Sequence, residues 1–516
     1  MTRRLRAAVL SLFAAFFGCI AVLAQPPTSL FWALLVALPG LYVLWHNAGS
    51  ARCAFLVGWA AGLGYFSIGL HWIAEAFLVD AATFAWMIPF ALGGLAAGLA
   101  VFWGLGFWLA RRIAGVGWGA PFALAGCWML ADWLRGNVLT GFPWALVGYA
   151  WIETPAMQGA ALVGIYGMTL ATLFAGVSLG RLFVRRTTGS LAAAGIGMAL
   201  IGICWLYGLQ RDRTPLEVPT LRVGLVQPNV AQRDKWQPHL QRAQLDDLLM
   251  RTRHLVDGGA DVILWPEAAT PYDVEASAAL RDLIADALGQ DAMLLAGAIR
   301  FDGEGEGRRA YNSLLAVGPK GDLRGHYDKR HLVPFGEYLP FDEALTALGL
   351  RAMVTLPGGM SAGGESGRVV NIAGLPPFAA MICYEAIFPA EILHRSDSRR
   401  DVRWMVQVTN DAWFGASAGP HQHFVQARVR AIERGLPLAR AANTGISALV
   451  GPDGAVRSAL PLNEAGVVVG DLPPPLPPTF YARWEDIPFG VALVFVLAMG
   501  YAAGGRRGAA SETHVR

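Results

Sequence analysis

The chain of 516 residues is short of charge. Asp, Glu, Lys and Arg make up 15% of it, against about 25% in an ordinary soluble protein. A surplus of either sign is missing too: Lys and Arg number 41, Asp and Glu 38, and the formal net charge is +3. Without a basic surplus there is no electrostatic footprint of a nucleic-acid binder. A disordered chain is excluded as well, since it couples low hydrophobicity with high net charge. Cysteine is scarce. Of the five, Cys19, Cys53, Cys127 and Cys204 fall in apolar stretches, where a small buried hydrophobe is the ordinary role. Cys383 stands alone outside them, and a region with one cysteine closes no internal disulfide. A lone thiol in an oxidising compartment is a liability unless it is used. What the chain has in abundance is apolar residues, at 54%. Its length suggests roughly three domains at about 150 residues each.

The charges divide the chain. From Ala7 to Gly180 the only ones are Arg52, Glu75, Asp80, Arg111, Arg112, Asp132, Arg135 and Glu153. After Gln210 the sequence reads as an ordinary soluble protein. A membrane helix needs about 20 mostly apolar residues. Stretches 7–24, 29–46, 53–73, 84–109, 118–134, 155–180 and 190–209 fit, and an eighth lies at 487–503. The stretch 84–109 is long enough to tilt or to kink at Pro89. The stretch 118–134 carries Asp132 and also reads as an interfacial or re-entrant helix. Three parts result: a bundle of about seven spans over 1–210, an α/β region over 211–484, and a last span with a tail over 485–516.

Basic residues set the orientation, because short cytoplasmic loops are rich in Lys and Arg. Arg3, Arg4 and Arg6, then Arg52, Arg111 with Arg112, Arg181 with Arg185 and Arg186, and Arg506 with Arg507 fall on every second connection. The other connections are almost free of them, Arg135 being the exception. With eight spans, all clusters share one side, both termini are cytoplasmic, and 211–484 lies outside. The start, RRLR with an apolar run and VLA, also resembles a signal peptide; its cleavage would not move the α/β region.

In that region short apolar runs alternate with helical stretches, which argues a layered α/β domain. Strands are expected at 221–227, 261–265, 377–383 and 404–410, and helices at HLQRAQLDDLLMRTRHLVDGG and HQHFVQARVRAIERG. The stretch LPPPLPPT (472–479) reads as a stiff extended linker.

Three strand ends carry unusual chemistry. In DVILWPEAAT, Glu267 stands two residues past a strand that Pro266 stops. Such a carboxylate is a general base if burial raises its pKa; it also reads as an exposed loop residue. In HYDKRHLVPFGEYLP, Lys329 sits in a polar cluster ahead of Glu337. An ammonium beside a carbonyl stabilises a developing oxyanion; a solvated basic loop is the other reading. In PFAAMICYEAIFP, Cys383 ends a strand, with Tyr384 and Glu385 next. A sharp strand-to-helix turn there exposes a nucleophile, whose thiolate needs a nearby base or cation; an inert core thiol is the alternative.

The order Glu267, Lys329, Cys383 on three strand ends resembles the nitrilase (carbon–nitrogen hydrolase) superfamily, with its Glu–Lys–Cys triad on an αββα sandwich. Glu337 resembles that superfamily's supporting glutamate. A closer resemblance covers nearly the whole chain. A nitrilase-like domain between seven N-terminal spans and one C-terminal span is similar to the apolipoprotein N-acyltransferase family. The strings RGNVLTGFPW (135–144), KW (235–236), WPE (265–267), YDKRHLVPFGEYLP, CYEAIFP, TNDAWFG (409–415) and RAIERGLPLARAANTGIS (430–447) carry it.

The resemblance implies a bacterial inner-membrane enzyme with its catalytic domain in the periplasm, in line with the arginine pattern. It implies ping-pong transfer of an acyl chain from a phospholipid to the α-amino group of a diacylglyceryl-cysteine at the N-terminus of an apolipoprotein. Glu267 would deprotonate Cys383, the thiolate would attack the ester, and Lys329 would stabilise the oxyanion; a Cys383 thioester would follow. Trp236, Tyr384 and Glu385 match positions the family uses around the site, with packing and buried hydrogen bonding as their other possible roles. No cofactor or metal is implied. Expected partners are the phospholipid donor, the apolipoprotein acceptor and the inner membrane, without nucleic acid and with the chain acting as a monomer. The stretch 339–364 fits an apolar lid hinged by glycines, or a packed surface helix. His421 and His423 in GPHQHF, two apart and without a Cys or Asp cluster, argue a structural role over a metal pair. Two other functions stay open. A membrane-tethered nitrilase-type amidase shares the triad but needs no eight spans. A transporter with a nitrilase-like sensor would keep ionisable residues in its bundle, where this chain holds chiefly Asp132.

Overall fold

The computed structural model describes residues 2–218, 220–340, 359–364, 368–394 and 401–512. Two compact units emerge, Met1–Asp212 with Trp484–Arg516, and Arg213–Arg483. Most of the stretch expected to form a lid, 341–358, lies outside the described residues.

The first unit is helical. Long apolar runs take this form because, in lipid, each backbone polar group must find its partner within the segment. Helices Arg3–Val22, Leu34–Asn47, Ala51–Gly69, Ile88–Ala114, Ala120–Asn137, Ala160–Val184, Thr188–Gln210 and Ile487–Glu512 fall on the eight apolar stretches. Among the described residues, six segments are long and apolar enough to cross a membrane: Arg3–Val22, Ala51–Gly69, Ala81–Ala114, Pro155–Val184, Thr188–Gln210 and Ile487–Gly504. Phe31–Asn47 is shorter and holds Pro39; Ala120–Asn137 carries Asp132 and Arg135. Pro89 does not kink its helix. It occupies the first turn of Ile88–Ala114, where a missing N–H costs nothing. The break inside a helix occurs instead at Gly164, at φ 66°.

Ala120–Asn137 is lined by buried residues along most of its length. Asp132 and Arg135 pair at 3.0 Å, each side chain 1% exposed. The Trp103 indole donates to Asp132 at 3.0 Å, and Arg135 donates to the carbonyls of Phe142 and Trp144. Arg135 is therefore an internal tie, not a free loop charge. Small residues bring helices close: a Cβ on Gly18 would stand 2.1 Å from the Ala61 carbonyl oxygen. Basic residues gather at one end of the bundle. Arg6 donates to Asn47 O, Arg111 to His46 O, and Arg181 to Gly117 O. Ties at the other end run from Gln25 to Leu146 O and from Tyr65 to Ala145 O.

The second unit is an αββα sandwich. Its strands are β1 (Arg222–Gln227), β2 (Val262–Trp265), β3 (Met293–Asp302), β4 (Arg309–Val317), β5 (Leu323–Asp328), β6 (Val369–Val370), β7 (Phe378–Ile382), β8 (Trp404–Thr409), β9 (Leu438–Ala442), β10 (Ser447–Val450), β11 (Val456–Leu460) and β12 (Gly466–Asp471). One sheet has the order β12-β1-β2-β3-β4-β5, the other β11-β10-β9-β8-β7-β6. The pairs β1–β2, β2–β3, β7–β8 and β8–β9 are parallel. Side chains alternate between the faces of a strand. Val262 and Leu264 therefore meet Phe378, Ala380, Ile382 and Val406 between the sheets. Ile263 and Trp265 face outward onto Leu245, Leu249, Leu280 and Ile284, from helices Gln241–Asp257 and Ala278–Leu288. Ala379, Met381 and Met405 face Phe424, Ala427 and Ala431, from helix Ala418–Arg434.

The proline-rich stretch expected to be a linker is packed on this unit. Leu216 N donates to Pro475 O, and Leu476 N to Gly435 O. The Thr479 hydroxyl caps the Glu433 carbonyl.

Candidate active site

Four strand ends of the sandwich converge. Glu267 follows β2 and Pro266 and is buried, so it is no surface loop glutamate. Its Oε1 accepts from Asn312 Nδ2 at 2.6 Å, and its Oε2 from the Asn410 main-chain N–H at 2.8 Å. The loop carrying it lies flat on β3. A Cβ at Gly297 would stand 2.3 Å from Pro266 O and 2.7 Å from Glu267 Cα, so this approach requires glycine.

Lys329 follows β5 and is 1% exposed. Its Nζ lies 2.9 Å from Glu337 Oε1 and 3.6 Å from Glu267 Oε1. The other hydrogen of the Asn312 amide goes to Glu337 Oε1 at 2.9 Å, so Asn312 spans the two carboxylates. The Val333 N–H donates to Glu337 Oε2 at 2.8 Å. Burial alone would push the Lys329 ammonium toward neutrality; the charges of Glu337 and Glu267 outweigh it and hold the amine well above its ordinary range. Lys329 is therefore a fixed cation.

Cys383 ends β7 in the left-handed region, at φ 50°, and opens a tight turn over Cys383–Ile387. A non-glycine residue is rarely held there, and such strain gathers at working sites. Burial pushes the thiol up, and the Glu267 charge adds to it; the Lys329 charge opposes. At rest the sulfur is a thiol. Glu385 is fully buried beneath this turn. It accepts from the main-chain N–H groups of Ile382, Arg330 and His331 and from the Tyr327 hydroxyl, and it pairs with Arg368 at 3.0 Å. One carboxylate thus ties the segment after Lys329 to the strand before Cys383. The buried Tyr384 ring packs edge-on against Phe388 and His331. Of the seven residues singled out in the sequence, Trp236 differs: it is 39% exposed.

Several residues here escape a reading of the sequence. Asn312 lies inside an apolar strand, and Asn410 acts through its backbone; neither signal is local. Lys235 was visible only as half of the KW string. It is buried, and its Nζ donates to the main-chain O of Glu267 at 2.9 Å. Burial lowers its pKa to about 8 against the pull of the Glu267 and Cys383 charges. His423 is also buried, with Nδ1 2.9 Å from Asp411 Oδ1 and Nε2 3.0 Å from the Cys383 carbonyl oxygen.

A thiol, a carboxylate and a fixed ammonium in one buried cluster suit attack on a carbonyl through sulfur. Comparison with known proteins agrees. The family model described as carbon-nitrogen hydrolase matches residues 222–476. The one described as apolipoprotein N-acyltransferase N-terminal domain matches residues 17–178. An apolipoprotein N-acyltransferase of Brucella suis is 41% identical over 502 residues, covering 93% of this chain and 92% of that one. One of Rhodopseudomonas palustris is 37% identical over 519 residues, covering 95% and 94%. Among solved structures, an amidase of the nitrilase superfamily from Nesterenkonia is 19% identical at a TM-score of 0.38, covering 54% of this chain and 99% of that one. With relatives at this identity over nearly the full length of both chains, the protein belongs to the apolipoprotein N-acyltransferase family, a family of membrane acyltransferases built on a nitrilase-like domain.

Proposed function

We propose that the protein moves an acyl chain from a membrane phospholipid to the α-amino group of the diacylglyceryl-cysteine at the N-terminus of apolipoproteins, through a thioester on Cys383. The observation that carries this is the buried cluster of Glu267, Lys329 and Cys383, whose charges act on one another. Because burial keeps the thiol protonated, attack needs a base at the moment of reaction. Glu267 takes the thiol proton, and sulfur bonds to the ester carbonyl carbon. Lys329 faces the oxyanion that forms; its charge is constant, so it needs no reorganisation. The ester C–O bond breaks, Glu267 returns the proton to the glyceryl oxygen, and lysophospholipid leaves. The acceptor amine then attacks the thioester, Glu267 takes a proton from its nitrogen and passes it to the leaving sulfur as the C–S bond breaks, which restores the Cys383 thiol and the Glu267 carboxylate. Glu337 and Asn312 hold the two reacting side chains apart and aligned. Glu385 couples their backbones, Tyr384 fills the wall, and Trp236 is a surface for substrate.

The distribution of basic residues supports both termini in the cytoplasm and residues 213–483 in the periplasm, with the inner membrane as the location. With Arg135 internally paired, the outer connections hold no free arginine of their own.

The test is transfer itself. Purified protein in phospholipid micelles is given a synthetic peptide with an N-terminal diacylglyceryl-cysteine. The expected product is an N-acylated peptide with one equivalent of lysophospholipid. Free fatty acid without acylated peptide would instead mark a hydrolase.

A further inference from the structure

The site has a second layer that the chemistry above does not use. Below the turn at Cys383 lie Gln407, Asp411, His423 and Arg440, all with no exposed surface. Arg440 donates through Nη1 to Gln407 Oε1 at 2.5 Å and through Nη2 to Asp411 Oδ2 at 2.6 Å. The opposite oxygen, Asp411 Oδ1, receives the Thr409 hydroxyl at 2.8 Å and faces His423 Nδ1 at 2.9 Å. The far sides of Gln407 and His423 then meet one atom. Gln407 Nε2 donates to the Cys383 carbonyl oxygen at 3.2 Å, and His423 Nε2 lies 3.0 Å from it. The carbonyl of the strained residue is thereby held from below, while its sulfur is left to the site.

A residue at positive φ returns to ordinary backbone conformations unless its surroundings fix it. For Cys383, rotation of the peptide group that carries this carbonyl would swing the sulfur with it. Displacement of a reacting atom by about an ångström costs about a hundredfold in rate. Acceptors face both ring nitrogens of His423, Asp411 Oδ1 at Nδ1 and the Cys383 carbonyl oxygen at Nε2, so the ring holds that carbonyl as an imidazolium donating through both nitrogens, with the Asp411 carboxylate as its counter-charge. We propose that His423, oriented by Asp411, is a positioning residue for acyl transfer, fixing the main-chain carbonyl of Cys383 and so the aim of its sulfur. This goes beyond a packing role for the GPHQHF segment. It rests on the reading of Cys383 as nucleophile.

Two amides separate the claims. A glutamine at 423 places its amide where Nε2 stands, toward Cys383; an asparagine places it where Nδ1 stands, toward Asp411. The full-length protein, His423→Gln and His423→Asn are mixed with phospholipid without acceptor. Acylation of Cys383 is followed by mass spectrometry, with thermal melting as the control of folding. His423→Gln is expected to acylate within about threefold of the unaltered protein, and His423→Asn about a hundredfold more slowly, both at an unchanged half-saturating donor concentration. Should His423→Asn fail to fold, Gln407→Met removes the other donor to the same carbonyl and carries the same expectation of slowing. A folded His423→Asn that acylates as fast as the unaltered protein, or a His423→Gln as slow as His423→Asn, overturns the inference while leaving the nucleophile in place. Failure of the unaltered protein to acylate at Cys383 overturns the nucleophile and this inference together.

Discussion

Lys329 and Glu337 form a buried ion pair at 2.9 Å, tighter than the 3.6 Å approach of the same ammonium to Glu267. The closer partner absorbs the charge of Lys329, which leaves the Glu267 carboxylate able to accept a proton. Glu337→Gln should therefore do two kinds of damage. Removing one member of a buried pair costs about 3–5 kcal/mol, read as a lower melting temperature. The freed ammonium also turns to Glu267 and quenches it as a base. Acylation of Cys383 in a single turnover is expected to fall by at least about a hundredfold, the usual scale for losing a general base. Stability loss with undiminished acylation would show that Glu337 supports the fold only.

Gly297 is set by contact. A methyl group there would lie 2.3 Å from Pro266 O, far inside van der Waals contact, and the loop carrying Glu267 would have to lift. Gly297→Ala should lower stability by about 1–3 kcal/mol, as overpacking does, and slow turnover more than tenfold with little change in the half-saturating donor concentration. Crystallography or hydrogen exchange at Ala268 and Ala269 would locate the displacement.

Lys235 predicts a pH signature. Its pKa is lowered to about 8 by burial, so its cation is present below that pH and lost above it. While charged, it favours both the Glu267 carboxylate and the Cys383 thiolate. Arginine keeps its charge throughout. The ratio of the Lys235→Arg rate to that of the unaltered protein should stay level below about pH 8 and rise above it. A ratio that is level from pH 6 to 10 would exclude electrostatic support from this residue.

Much of this was open to reading in the sequence because it depends on local pattern. Long apolar runs without charge mark the helices, and short apolar runs between helical stretches mark β2, β7 and β8, which are buried throughout. The strand ends gave Glu267, Lys329 and Cys383. The rest depends on three-dimensional neighbours. Asp132 lets 118–134 read also as an interfacial or re-entrant helix, and only the structure shows that Arg135 one turn on pairs with it. LPPPLPPT reads as a stiff extended linker, and nothing local reveals that Leu216 and Gly435 bond to its backbone. Asn312 looks like one polar residue in a strand, and only β4 beside β3 and β5 brings its amide between two carboxylates. His423 reads as structural, and nothing local reveals that its partner is an atom forty residues away.

The central claim is a covalent one, so the most direct test is the mass of the Cys383 peptide. Protein purified away from acceptor, incubated with a phospholipid of defined acyl chains, and digested at low pH should show that peptide heavier by one acyl group. The increment should vanish on adding a diacylglyceryl-cysteine peptide, which gains the same mass, and should be absent in Cys383→Ala. An acylated acceptor formed at the normal rate by Cys383→Ala, or an increment on any other residue, would contradict the account.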